Sequence, residues 1–227
     1  MTLIEYPDII QGTEAWNDLR RGIVTASTVH NLLTITTHKP ANNDTSCAFT
    51  LALVAERITG WTDPVYVSDD MMRGTMDEPI ARDLYSQHYA PVREMGFMVW
   101  EDDQTGHRLG YSPDGLVGDD GLIEIKSRRQ KSQLATILSG EVPAANMAQC
   151  QAALLVTGRK WLDYVSYSGG MPLYVRRVYP DPDWFDSIRA AVAQFEETSA
   201  ETVNRYVESI AGLPMTQRID HFAEIEV

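Results

Sequence analysis

Cysteine is nearly missing from this chain of 227 residues: only Cys47 and Cys150 occur. That excludes a disulfide framework, and both are expected to be reduced core thiols of a cytosolic protein. No run of about 18 apolar residues is present, which excludes a membrane-spanning helix. The opening MTLIEYPDII lacks the basic head and apolar core of a secretory signal, so the expected setting is cytoplasmic. Internal repeats and low-complexity tracts are missing too. Positive charge is scarce: 19 Lys and Arg face 32 Asp and Glu, a formal net charge of −13 that argues against a general polyanion binder.

What is present is a globular balance of 44% hydrophobic and 22% charged residues. The length suffices to bury a core without a structural metal. The reading is a single domain over residues 1–227, with 180–227 an acidic C-terminal helical segment. Ten acids and three bases fall in that segment, a net −7, which leaves −6 for residues 1–179. Basic clusters survive at Arg20-Arg21, from Lys126 to Lys131 and at Arg176-Arg177. A nucleic-acid site is therefore allowed only as a small basic groove on an acidic body.

Local pattern predicts a helix from Thr13 to Arg21, capped by the Thr13 hydroxyl, and a second one opening near Thr25-Ala26-Ser27. A polar loop over Thr36–Ser46 follows, then helices over Cys47–Ile58 and Thr75–Tyr89. Phe97–Trp100, His107–Tyr111 and Leu122–Lys126 read as strands of one meander. A small-residue helix over Ala144–Val156, strands over Trp161–Ser166 and Leu173–Val178, and a long amphipathic helix over Pro182–Ile210 complete the chain. This order gives an α/β fold, a mixed sheet flanked by helices.

The chemistry concentrates in Ser112-Pro113-Asp114-Gly115-Leu116 and Glu124-Ile125-Lys126. Asp114 in a turn and Glu124 on the next strand of the same hairpin would come close enough to share one divalent cation through hard oxygen ligands. Glu124 and Lys126, two apart on a strand, share a face. The Ile125 carbonyl would serve as a third oxygen ligand, and Lys126 would sit beside the metal-bound water. Each motif alone is ordinary, since acid-x-Lys strands and Pro-Asp-Gly turns are common. The combination, with a helical Glu upstream and a Gln-bearing helix downstream, points to a nuclease core. Upstream, Gly74 and Glu78 share a helix face, so Glu78 reaches the site unless it only pairs with Arg82 at the surface. Downstream, Gln149 either fixes the scissile phosphate or the attacking water, or is a satisfied buried amide.

In this order and spacing the chain resembles the PD-(D/E)xK nuclease superfamily, with a restriction-endonuclease-like fold, and within it the phage lambda exonuclease branch of viral recombination nucleases. The stretch from Ala15 to Ser27 (AWNDLRRGIVTAS) is similar to that branch's N-terminal signature, and MAQCQ at 147–151 follows the catalytic strand as expected. The resemblance covers roughly residues 14–180.

It implies a 5′-to-3′ double-strand DNA exonuclease that releases mononucleotides and leaves 3′ single-stranded tails for recombination by strand annealing. It implies two Mg²⁺ ions, with Mn²⁺ as an alternative, held by Asp114, Glu124 and the Ile125 carbonyl, with Glu78 on the second. Lys126 would orient or activate the water, and Gln149 would support the reacting group. Arg20, Ser27 and Ser112 would receive the 5′-terminal phosphate, aided by the helix N-terminus expected at Thr25–Ser27. Trp16 would wall that pocket or belong to the core. The resemblance further implies a homotrimeric ring lined by Arg128, Arg129 and Lys131, and a single-strand annealing protein as partner in a bacterial or phage-infected cell. Met71-Met72 would split the last base pairs or sit in the core.

The chain departs from relatives that carry Gln-x-x-x-Tyr, since Ala153 follows Gln149 and Leu155 follows Gln151. The acidic C-terminal helix has no assigned family counterpart. Two other readings stand beside the first. One is a structure-specific endonuclease on the same fold, which would not need the Arg20-to-Ser27 pocket. The other is an inactive DNA-end-binding module, which would be expected to have lost Glu124 or Lys126.

Overall fold

The computed structural model describes residues 2–64 and 66–219. In chain order the elements are β1 (Thr2–Tyr6), α1 (Glu14–Arg20), β2 (Val24–Thr25), a 3-10 turn (Val29–Leu32), α2 (Asp44–Thr59), α3 (Asp69–His88), β3 (Phe97–Glu101), β4 (Arg108–Tyr111), β5 (Gly115–Val117), β6 (Gly121–Ser127), α4 (Gln130–Ser139), α5 (Ala144–Thr157), β7 (Trp161–Tyr167), β8 (Tyr174–Val178) and α6 (Pro182–Ser209). The strands form two four-stranded mixed sheets, ordered β1-β3-β4-β2 and β5-β6-β7-β8. The β2–β4 and β6–β7 pairs are parallel and the others antiparallel. An α/β fold with mixed sheets flanked by helices is what the sequence predicts.

The expected single meander is corrected here. Asp114 does not turn β4 back on itself. The Ser112–Asp114 segment carries the chain from the first sheet into the second, where the short β5 makes the hairpin with β6. Gly115 makes that crossing tight, because a Cβ there would lie 2.1 Å from Val92 Cγ1.

Helix α5 bridges the two sheets. Its small residues let it approach β3 and β4 on one side and β7 on the other, and Ala148, Cys150, Ala152, Ala153, Leu154 and Leu155 are buried in the main core. Along β6 the side chains alternate. Leu122 joins that core, whereas Ile123 and Ile125 point the other way into a second cluster with Ala81 and Tyr85 of α3. Glu124 and Lys126 therefore face the α5 side. Buried Asp163 on β7 ties α3 to the second sheet: it accepts from Tyr85 Oη at 2.6 Å and from both Arg177 Nε and Nη2 at 2.8 Å. The acidic α6 is no loose tail, since Ile188, Ala191, Val192 and Phe195 seat it in the main core beside α2 and α5. The remainder of the acidic segment, residues 220–227, lies outside the described residues.

Several local expectations shift. Thr13 caps α1 as predicted, accepting from the Trp16 N–H. No helix opens at Thr25, which ends β2 and is followed only by the 3-10 turn. Helix α2 begins at Asp44 behind an Asn43–Ser46 capping box. Helix α3 begins at Asp69, six residues before Thr75, because Ser68 caps it and Gly74 does not interrupt it. Helix α4 and strands β1, β2 and β5 were not predicted. Cys150 is buried, but Cys47 is exposed on the first turn of α2 rather than in the core. Among the described residues no helix is long and apolar enough to cross a membrane.

Candidate active site

The turn leaving β4 and the strand β6 bring Asp114 and Glu124 together. Asp114 Oδ2 accepts from the Ile125 N–H at 2.6 Å, so the turn carboxylate is seated on β6 itself. The N–H and C=O of one strand residue point to the same edge. The Ile125 carbonyl therefore points toward Asp114 too. Glu124 is only 2% exposed. Its Oε2 accepts from Tyr111 Oη at 3.1 Å, and its Oε1 accepts from Lys126 Nζ at 2.8 Å and from Gln149 Nε2.

Electrostatics follow from that crowding. Burial, then the facing Glu124 and Glu78, push the Asp114 carboxyl well above the ordinary carboxylate range. Burial pulls Lys126 down, but Glu124 and Asp114 outweigh it and hold its ammonium above the ordinary lysine value. Glu78 is raised mainly by burial, with Glu124 and Glu94 adding to it and Arg82 opposing.

Both readings of Glu78 hold at once. It pairs with Arg82, and it also lines the same cleft as Asp114 and Glu124. Sequence names Arg82 only as the i,i+4 partner of Glu78. Its guanidinium binds Glu78, donates from Nε to the Asp114 carbonyl at 2.7 Å and reaches Glu94 at 3.2 Å, so it braces the acidic turn against α3. Tyr111 was missed as well. Its position before Ser112 gives no signal, because its partner Glu124 comes from the other sheet.

The donor set fits a hard divalent cation at Asp114, Glu124 and the Ile125 carbonyl, since all are hard oxygen ligands. As placed, Glu78 does not complete a metal-holding group of three acids, and no such group occurs among the described residues.

At the other end of the cleft, Trp16 Nε1 donates to Ser112 Oγ at 2.8 Å and Arg20 Nη1 donates to the same oxygen at 3.4 Å. The Arg20 guanidinium lies 4.0 Å from the Trp16 ring centroid, a cation–π contact. Burial lowers the Arg20 pKa to about 10, against a smaller opposing pull from Glu56. Arg20 forms no ion pair among the described residues. A recessed arginine without an acid is a ready site for an anion. Thr25 Oγ1 hydrogen-bonds Ser27 Oγ at 3.2 Å and carries Ser27 to the same wall. The expected helix N-terminus contributes nothing here, because the Ala26 N–H already donates to the Gly110 carbonyl at 2.8 Å. Trp16 lines the cleft rather than the main core.

One cavity of about 360 Å³ is lined by both groups, from Arg20, Ser27 and Ser112 at one end to Asp114, Glu124 and Lys126 at the other. Of the residues expected to line a DNA path, Arg128 turns inward to Asn146 and to Tyr164 Oη (2.8 Å). Arg129 binds Asp70, and Lys131 is exposed and without an ion pair among the described residues. Met71 and Met72 are each 50% exposed on α3, which removes the core alternative for them.

Comparison with known proteins fits this geometry. The profile of the YqaJ-like viral recombinase domain matches residues 15–160. The chain belongs to that family. In fold it is similar to an alkaline exonuclease from Laribacter hongkongensis, with a TM-score of 0.78 and 31% identity over 89% of this chain and 100% of that one. The same exonuclease in complex with dAMP gives a TM-score of 0.76 at 31% identity, over 89% and 100% of the two chains. A phage-related exonuclease from Haemophilus somnus 129PT shares the fold, with a TM-score of 0.60 and 11% identity over 84% and 99%. No curated protein matches the sequence. These likenesses make the chain a member of the lambda exonuclease-like group that its motifs predict.

Proposed function

We propose that this viral-recombinase-family nuclease is a Mg²⁺-dependent 5′-to-3′ exonuclease of duplex DNA that releases mononucleotides and leaves 3′ single-stranded tails. The observation that carries the reading is the shared cleft: a recessed Arg20, without an ion pair among the described residues, lies in the same cavity as the paired carboxylates Asp114 and Glu124. An endonuclease has no use for a terminal-phosphate pocket beside its acids.

In this reading Arg20, Ser112 and Ser27 receive the 5′-terminal phosphate, and the Trp16 ring fixes the guanidinium plane. Holding that end in place presents the first phosphodiester to the acidic end of the cleft. Asp114, Glu124 and the Ile125 carbonyl would hold Mg²⁺, or Mn²⁺ in its stead, with Glu78 toward a second ion. Bound there, the metal would stabilise charge on the phosphate and acidify water. Lys126, paired with Glu124, would orient or activate the water and offset developing negative charge on the phosphate. Gln149 and Tyr111 fix the two oxygens of Glu124 from opposite elements. A homotrimeric ring, an annealing recombinase as partner and a cytoplasmic setting complete the proposal. A ring reconciles a basic DNA path with a −13 body by hiding the path inside.

The test is digestion of linear duplexes labelled at either the 5′ or the 3′ end, in Mg²⁺ and in EDTA, beside a closed circle. The 5′ label is expected to leave first, as mononucleotide and only with metal. Cutting of the circle would replace this reading with the endonuclease.

A further inference from the structure

At the rim of the cleft the end of β6 meets the first turns of α3. Asp70 Oδ1 accepts from Arg73 Nη1 at 2.6 Å and from Nε and Nη2 of Arg129 at 2.9 Å. Arg73 has a second anchor. Its Nε donates to Ser127 Oγ at 3.0 Å, and that hydroxyl donates to Asp77 Oδ2 at 2.6 Å. The guanidinium is thus fixed to the residue directly after Lys126, and both Asp70 and Ser127 line the cleft.

We propose that Arg73 and Arg129 form a clamp for a backbone phosphate of the DNA at the cleft rim, and that Asp70 occupies this clamp in the free protein as an internal substitute for the phosphate. The proposal rests on the exonuclease reading above and adds to it a substrate-binding site and a residue that controls access to it.

A carboxylate and a phosphodiester carry the same single charge and accept the same forked donation from guanidinium. Exchanging one for the other keeps the local balance. The exchange is also cheap. Side-chain exposures of 55% for Asp70, 68% for Arg129 and 32% for Arg73 make the trio a surface ion cluster, a kind worth little on its own. Asp77 is engaged by the Ser127 hydroxyl. Asp70 keeps the two arginines together and aimed while no DNA is present. It also raises the threshold for any anion too weakly placed to displace it.

The experiment measures duplex affinity in EDTA across a salt series, and KM and kcat in Mg²⁺, for the wild type, Asp70→Asn, Arg73→Gln, Arg129→Gln and the Asp70→Asn/Arg129→Gln pair. Thermal midpoints run beside them. Asp70→Asn is expected to tighten binding and lower KM by roughly threefold at low salt, with kcat unchanged. Arg73→Gln and Arg129→Gln are expected to weaken binding and reduce the salt slope by about one each, and the pair to lose the gain of Asp70→Asn. Wild-type binding with unchanged or weaker binding by Asp70→Asn, accompanied by a lower midpoint, overturns the clamp and leaves a structural ion cluster. A wild type that neither binds nor degrades duplex overturns the exonuclease reading itself, and the clamp with it.

Discussion

At the residue scale the site is a set of acids each held by a different element. Asp114 and Glu124 were legible because strand alternation and turn chemistry act over a few residues. Lys126 and Gln149 were legible for the same reason, one sharing a strand face with Glu124 and the other lying on a helix of small residues. Tyr111 was not, since a tyrosine before a turn becomes informative only when distant chain brings its partner, and Arg82 was legible only as the i,i+4 partner of Glu78, not as the brace of the Asp114 turn. Glu124 accepts three hydrogen bonds while almost fully buried, so removing a donor leaves a buried carboxylate short of a partner as well as altering the site. Lys126→Ala is expected to lower kcat by roughly 10²–10³-fold with little change in KM, measured by steady-state digestion of duplex. A near-normal rate would remove Lys126 from the reacting centre. Tyr111→Phe, which leaves Glu124 its bonds to Lys126 and Gln149, is expected to cost only about tenfold.

At the element scale the informative error is the hairpin. Pro-Asp-Gly is ordinary turn chemistry, and nothing local says whether such a turn pairs consecutive strands or hands the chain to a second sheet. Packing decides it, through the close approach of Gly115 to Val92. Gly115→Ala is therefore expected to destabilise the fold by about 1–3 kcal/mol in denaturant titration, and Val92→Ala in the same chain to recover part of the loss. No rescue would mean the crossing is not set by that contact. Strand β2, with two residues, and β5, with three, are too short for any periodicity to show. The start of α3 was legible in hindsight from Ser68 and the acids Asp69 and Asp70, but Gly74 reads locally as a break. The Tyr85–Asp163–Arg177 network joins α3 to the sheet that carries Glu124. Tyr85→Phe is expected to cost about 1–2 kcal/mol of stability, because Arg177 still satisfies the buried carboxylate. A neutral result would show that the hydroxyl adds nothing to the Arg177 pair.

At the scale of the whole molecule, composition and site point in opposite directions, and the fold resolves them. Acid gathers on α6, whose apolar face is taken up by the core, while the unpaired Arg20 and the lysine of β6 are recessed in one cleft. Fold class was readable from sequence, as was the approach of Glu124, Lys126 and Asp114 to one another, whereas the sharing of one cavity by Arg20 and the carboxylates was not, since it depends on how β4 joins the two sheets. The decisive measurement is the single-turnover digestion rate of duplexes with and without a 5′-phosphate, for the wild type and Arg20→Ala. The wild type is expected to prefer phosphorylated ends by roughly 10–100-fold, the worth of one charged hydrogen-bonded contact, and Arg20→Ala to lose that preference while keeping its rate on unphosphorylated ends. An Arg20→Ala enzyme slowed equally on both substrates would contradict the terminal-phosphate role of Arg20.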